Sequence, residues 1–353
     1  MEKAISGRVL NVVPNSTSAQ HASDERARVL AMSRAYVLSR AIHVAAELGV
    51  ANHVGDVPVS VSELARLTGS HAPNLERLMR CLAGHGVFVE CAPGRFTANG
   101  MSNVLRDDAP NSLRPGLRMV NAAWWAAVGA LGHSVTTGDT AFAHLNGDPF
   151  FAWLKNNPTD QLRFDAGMAS NSRASDEAIA RAYDFSSAEL VVDVGGGRGG
   201  LVHAIIEHHL NVKALLFDQP QVVQHSILPR EGALARRCSS FAGDFLQAVP
   251  TGAEIYVIKG VLHDFDDARC ITILNNCRHA MSSSGKVLIV ERLIATDNSA
   301  HEAKTIDLLM MALLGGRERT IAEWEQLIRS AELRLVRQIT TECEFTIVEA
   351  CPV

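Results

Sequence analysis

The sequence has no apolar run long enough to cross a bilayer, and its first residues hold no apolar core of signal-peptide type. A soluble, cytoplasmic chain without membrane attachment is therefore expected. The seven cysteines (Cys81, Cys91, Cys238, Cys270, Cys277, Cys343 and Cys351) are odd in number, scattered and without C-x-x-C spacing. That excludes a disulfide framework and suits free thiols in a reducing compartment; no zinc site is legible and no metal is expected. Positive charge is not in excess either: 33 Lys and Arg stand against 38 Asp and Glu, a formal net charge of −5. Nothing in that balance recruits nucleic acid or an anionic membrane surface. Aromatic residues are scarce at 5%, and there is no internal repeat or low-complexity tract. What remains is an ordinary globular composition, 47% hydrophobic and 20% charged, over 353 residues, enough for two domains and a sizeable core.

The most informative stretch runs from Leu190 to Asp218, LVVDVGGGRGGLVHAIIEHHLNVKALLFD. An apolar run framing Asp193 reads as a buried parallel strand. It breaks into glycines, continues with helical spacing (Leu201, Ala204, Ile205), and ends in a second apolar strand closed by Asp218. This is a βαβ unit. Its glycine loop lets the backbone turn sharply and approach a ligand, and the acid at the second strand's tip suits a ribose diol. Gly195, Gly197 and Gly200 satisfy the G-x-G-x-x-G dinucleotide fingerprint. Asp193 speaks for another ligand, because it would face an approaching pyrophosphate with no cation to offset it. S-adenosylmethionine carries no phosphate but does carry an ammonium and a sulfonium, which favour a nearby acid. A tight turn with no ligand is the third reading.

Elsewhere, residues 1–24 are polar and read as a flexible lead-in. Residues 27–50 form a long helical pattern with apolar residues on more than one face, suited to burial against its own domain and a partner subunit. Residues 59–99 read as a winged helix: a short helix capped by Ser62, a second helix, and a hairpin with Pro93-Gly94 at its tip. Arg77 and Arg80 sit on the second helix beside Glu76, without the basic surroundings that phosphate binding needs. A packing and dimerisation module is the better reading. Residues 102–180 read as mostly helical and gather the aromatics Trp124, Trp125, Phe142, Phe150, Phe151, Trp153 and Phe164, which serve either as core or as the wall of a pocket for a flat ligand. After Asp218, strand-like runs at 240–242, 254–258, 286–291, 333–339 and 344–350 alternate with helices, giving a doubly wound parallel α/β sheet whose last two strands form an antiparallel hairpin.

With these residues assembled, the chain resembles the small-molecule O-methyltransferases of the plant caffeate and bacterial antibiotic-tailoring type. The resemblance is carried by LVVDVGGGRGG, FDQPQVV, GDF at 243–245, VIKGVLHDFDDARC at 257–270, GKVLIVERLI at 285–294 and GGRERTIAEWEQL at 315–327, in the family's order. It implies an α/β Rossmann-like, seven-stranded methyltransferase sheet behind an N-terminal, mainly α-helical winged-helix dimerisation domain. The domains would be 25–105 for dimerisation, 106–180 for a helical linker and substrate-pocket segment, and 181–353 for the catalytic domain that binds S-adenosylmethionine. It implies a homodimer acting on a small-molecule acceptor. Asp193 and Gly195 would then line the methionine end of the cofactor, with Gly197 also binding it, Asp218 and Gln219 the ribose, and Asp244 and Phe245 the adenine. Lys259 would join the adenine-side contacts.

The same resemblance makes His263 the general base, flanked by Glu291 and Glu318. A phenol has a pKa near 10 and is a poor nucleophile at neutral pH, so methyl transfer from a sulfonium calls for a base. Flanking acids would hold the imidazole's tautomer and stabilise its cation. Trp124, Phe164, Met168, Asp264 and Met311 are the expected acceptor-pocket residues. Plant members carry a polar His-Asn pair where this chain has MMALL at 310–314, so its acceptor site should be more apolar. Two other activities fit the same fold, nitrogen methylation and a non-methylating hydroxylation or pericyclic step. From another class, a winged-helix chain also fits a ligand-sensing regulator, against which the intact His263, Glu291 and Glu318 speak.

Overall fold

The computed structural model describes residues 16–353, with side-chain surroundings from Asp24 onward. The chain divides into two units between Asn103 and Val104. The first begins with a 33-residue helix, Ser16–Leu48, that stops at Gly49 in the left-handed conformation. Residues 1–15 of the expected lead-in lie outside the described residues. Residues 16–24 are helical instead, because Ala and Gln propagate a helix that the apolar residues downstream have already nucleated. Ala41, Ala45 and Ala46 are buried, whereas Val29, Met32 and Tyr36 are 60%, 68% and 67% exposed.

A short strand β1 (Val59–Ser60), helices Val61–Thr68 and Ala72–Gly84, and the hairpin β2 (Val89–Ala92) and β3 (Arg95–Thr97) complete this unit. The sheet order is β1-β3-β2, all antiparallel. The cap of the first of these helices is Ser60, not Ser62: Ser60 has the extended backbone a cap requires and accepts from the Glu63 N–H at 3.3 Å, while Ser62 already lies inside the helix. Arg80 pairs with Glu76 at 2.5 Å and with Glu90 at 3.7 Å.

In the second unit, short helices lead into the 25-residue helix Pro158–Ala182 and then a seven-stranded sheet. Its strands are β4 (Leu190–Val194), β5 (Lys213–Asp218), β6 (Cys238–Ala242), β7 (Ile255–Lys259), β8 (Lys286–Glu291), β9 (Leu333–Thr340) and β10 (Thr346–Pro352). The order is β6-β5-β4-β7-β8-β10-β9. β4 to β8 run parallel, and β10 lies antiparallel to both β8 and β9. Alternate residues of each central strand feed two cores, which is why the strands read as continuous apolar runs. Val191, Leu216 and Val257 meet Ile179, Leu201 and Ile205 on one face. Val192, Tyr256 and Ile289 meet Ile273, Trp324 and Ile328 on the other. The connections diverge at β4, flanked by β5 and β7, so the crevice beyond its carboxyl end is where an open α/β sheet binds ligands. Among the described residues no helix is long and apolar enough to cross a membrane.

Candidate functional site

The glycine loop after β4 is held from the neighbouring strand. Gly195 and Gly197 both have positive φ, 72° and 60°. The Gly197 N–H donates to Asp218 Oδ2 at 2.8 Å and the Gln219 N–H to Asp218 Oδ1 at 2.6 Å. Burial pushes the Asp218 carboxyl up to about 6 against these two bonds. A Cβ on Gly195 would come 2.7 Å from Val261 Cγ2, so only glycine keeps this cradle open. Asp193 is buried, and neither of its oxygens has a hydrogen-bond partner. Burial and then neighbouring Asp176 push it up to about 8, against the pull of Lys259. An orphaned acid at the floor of the loop matches a cationic ligand and opposes a pyrophosphate.

Asp193, Gly195, Gly197, Asp218, Gln219, Phe245 and Lys259 all line one cavity of about 730 Å³. Asp244 does not. It is exposed and accepts from the Leu246 N–H at 2.9 Å, capping a turn that presents Phe245. Lys259, expected among the adenine-side contacts, has its Nζ 2.5 Å from Asp176 Oδ1, and the pairing of β4 with β7 sets it near Asp193.

His263 stands on the Leu262–Asp264 turn just beyond β7. Its Nδ1 is 2.8 Å from Glu318 Oε1 and its Nε2 3.3 Å from Asp264 Oδ1. Glu291 Oε2 is farther from Nδ1, at 3.9 Å. Glu291 instead turns Oε1 to the backbone, accepting from the N–H groups of Val261, Leu262 and His263 at 3.2, 2.9 and 3.3 Å. One acid thus orients the ring and the other fixes the turn that carries it. Burial pulls the imidazole's proton affinity down, but Glu291, Asp264 and Glu318 outweigh it and hold His263 at about 10. Burial raises Asp264 to about 6 and Glu291 to about 7, partly offset by His263.

Glu318 reaches the ring because Gly316 lets the connecting segment press against the turn: a Cβ there would sit 2.0 Å from the His263 carbonyl oxygen. Arg319, buried, clamps the turn through the carbonyls of Leu262 (3.2 Å) and Phe265 (2.9 Å) and through Asp267. Donor atoms of His263, Glu291 and Glu318 lie within 4.8 Å of one another, a spacing open to a cation. Their protein hydrogen bonds already account for Glu318 Oε1, Glu291 Oε1 and the imidazole Nδ1.

Phe164, Met168 and Asp264 line the cavity together with Phe151, Val261 and Phe265. Trp124 and Met311, expected there too, do not line it. Trp124 faces inward, edge-on to Phe150 at 5.7 Å, in a core shared with Phe142, Leu154 and Leu313. Met311 is half-buried on the Glu302–Leu313 helix. Three residues that bear on the site escaped the sequence reading. They are Asp176, Arg319 and Asp165, whose Oδ2 is buried without a partner on the cavity wall. Arg319 had a signal in its place in the GGRERT run, and Asp165 in the FDAGMASNS run at 164–172.

The sequence model of an O-methyltransferase domain matches residues 128–334, and that of an O-methyltransferase dimerisation domain matches residues 30–108. The chain is similar to phenazine O-methyltransferase PhzM of Lysobacter antibioticus, at 37% identity over 92% of this chain and 96% of that one. It is also similar to the mitomycin biosynthesis 6-O-methyltransferase of Streptomyces lavendulae, at 37% identity over 85% and 87% of the two chains. Among solved structures, the neocarzinostatin-biosynthesis O-methyltransferase NcsB1, in complex with S-adenosylmethionine and 2-hydroxy-5-methyl naphthoic acid, superposes with a TM-score of 0.78. It shares 31% identity, and the match covers 90% of this chain and 96% of that one.

Proposed function

The chain belongs to the O-methyltransferase family, and from that premise we propose that His263 removes the proton of a hydroxyl on a flat aromatic metabolite as that oxygen is methylated. S-adenosylmethionine is the cofactor, and its sulfonium supplies the electrophilic methyl. Asp193, with both oxygens orphaned, takes the ammonium of the methionine end beside Gly195 and Gly197. Asp218 and Gln219 serve the ribose, and Phe245 offers its ring to the adenine. Asp244 supports this set through the turn it caps.

The observation that carries the catalytic reading is the 2.8 Å contact between His263 Nδ1 and Glu318 Oε1. With Nδ1–H donated to Glu318, Nε2 is left as the proton acceptor. The neutral imidazole, the minor form at pH 7 for a ring held at about 10, matches the proton affinity of a phenol with its ordinary pKa of about 10, so from that form the proton moves with little free-energy penalty. Phe151, Phe164, Met168 and Phe265 favour a planar apolar ring system and exclude water around it. Asp264, beside Nε2, is near enough to bond a second polar group on the acceptor.

The exposed Val29, Met32 and Tyr36, within or next to the matched dimerisation segment, support a homodimer. All seven cysteines are unpaired, which supports the reducing cytoplasm as its compartment. The experiment is transfer of labelled methyl from S-adenosylmethionine to hydroxylated polycyclic aromatic acids and to their amino counterparts. Methylation of the hydroxyls supports the reading. Transfer only to amines, the chemistry named for one relative, an 8-amino-8-demethylriboflavin N,N-dimethyltransferase, overturns it.

A further inference from the structure

Asp193 is buried with no hydrogen-bond partner, and among the described residues the cation that draws on its charge is Lys259. Strand register explains the proximity. Asp193 pairs with Val257, so Lys259, two residues further along β7, projects from the same face, roughly 8 Å away between Cα positions. A lysine side chain spans that gap. Lys259 nevertheless turns to Asp176 at 2.5 Å, in a pair whose side chains are both only 8% exposed. Asp176 descends from the Pro158–Ala182 helix onto this face, and its Oδ2 lies where a Cβ on Gly200 would be 2.3 Å away. All three charged groups line the same cavity.

We propose that Asp176 is a positioning residue that holds Lys259 off Asp193, reserving Asp193 for the ammonium at the methionine end of the cofactor. The inference rests on the reading of Asp193 given above. Two buried acids and one lysine leave a single negative charge without a partner, and a ligand ammonium completes the set. Without Asp176 the lysine turns to Asp193 and fills the position the ligand needs.

The test is titration calorimetry with S-adenosylhomocysteine and with 5′-methylthioadenosine, which keeps the adenosine but lacks the ammonium. Asp176→Asn should weaken S-adenosylhomocysteine about tenfold or more and leave 5′-methylthioadenosine unchanged. Adding Lys259→Met to Asp176→Asn should return S-adenosylhomocysteine to within about threefold of wild type. Unchanged binding in Asp176→Asn, or a double variant as weak as the single one, overturns the proposal. If Asp176→Asn does not fold, the double variant decides, since it leaves no lone buried lysine. Near-wild-type affinity there supports the proposal, and a loss of about tenfold overturns it. Equal affinity of the wild type for both ligands removes the Asp193 reading itself, and the inference with it.

Discussion

Glu318 Oε1 lies 2.8 Å from His263 Nδ1, while Glu291 holds the backbone of the same turn through three N–H groups. Two acids that look equivalent in the sequence therefore do different work. Glu318→Gln should lower turnover by roughly 10²-fold or more, since it withdraws charge support from the imidazolium and permits the wrong tautomer. Its melting temperature should fall less than that of Glu291→Gln, because Asp264 and Glu291 still flank the imidazolium. Glu291→Gln should lower both, as an amide oxygen is a weaker acceptor for three convergent donors. Thermal unfolding beside steady-state kinetics separates the two. Equal effects of both variants on stability and rate would contradict the division of labour.

The rate should rise with pH. The acids around His263 hold it at about 10, so the neutral imidazole becomes more abundant as pH climbs from 7 toward that value. Removing an acid lowers the imidazole's proton affinity. The rising limb of kcat/KM should therefore move to lower pH in Asp264→Asn. A limb that stays in place or moves upward would count against the charge argument. The sign for stability is the opposite: a histidine raised on folding stabilises in full below its unfolded value of about 6.5 and loses that contribution as pH rises through about 10.

Cofactor binding should be coupled to a proton at Asp193, which is pushed up to about 8 by burial first and Asp176 second. An ammonium requires the ionised carboxylate, so affinity for S-adenosylhomocysteine should increase between pH 6 and pH 8 and then level off. Calorimetry at pH 7 in buffers of different ionisation enthalpy should register proton release. Asp193→Asn should bind more weakly and lose this pH dependence. For the ligand-free protein the raised carboxyl has the reverse consequence. The folded state keeps a proton that the unfolded chain releases near pH 3.9, so this group's contribution to stability falls as pH rises from there through about 8.

Gly316→Ala tests the backbone fit beneath Glu318. A Cβ would overlap the His263 carbonyl oxygen at 2.0 Å, so the 315–318 segment must withdraw and carry Glu318 with it. The expected outcome is a destabilisation of about 1–3 kcal/mol and a large loss of turnover, with S-adenosylhomocysteine binding retained. Wild-type turnover in this variant would remove the fit argument.

The parts legible in the sequence were those that local pattern fixes. The apolar runs at 190–194 and 286–291 are buried on both faces and became β4 and β8, and the loop glycines at 195 and 197 adopt positive φ. His263 follows β7 directly, so strand and turn placed it. Other features depend on which face of a helix turns inward or on partners far along the chain, and sequence spacing carries neither. Trp124 belongs to a core rather than the cavity because its helix turns that residue toward Phe150. Asp176 was unreadable because its meaning comes from Lys259, 83 residues away. Ser60 rather than Ser62, two residues further on, is the cap, since both serines satisfy the same composition rule and only the backbone conformation separates them.

The most direct test of the central claim is single-turnover methyl transfer by wild type and His263→Ala against acceptor hydroxyls of graded acidity. The account predicts unchanged affinity for S-adenosylhomocysteine and a loss of roughly 10²–10⁴-fold in rate for ordinary phenols. That loss should shrink as the acceptor becomes acidic enough to arrive already ionised. Transfer by His263→Ala at the wild-type rate to every acceptor would contradict it.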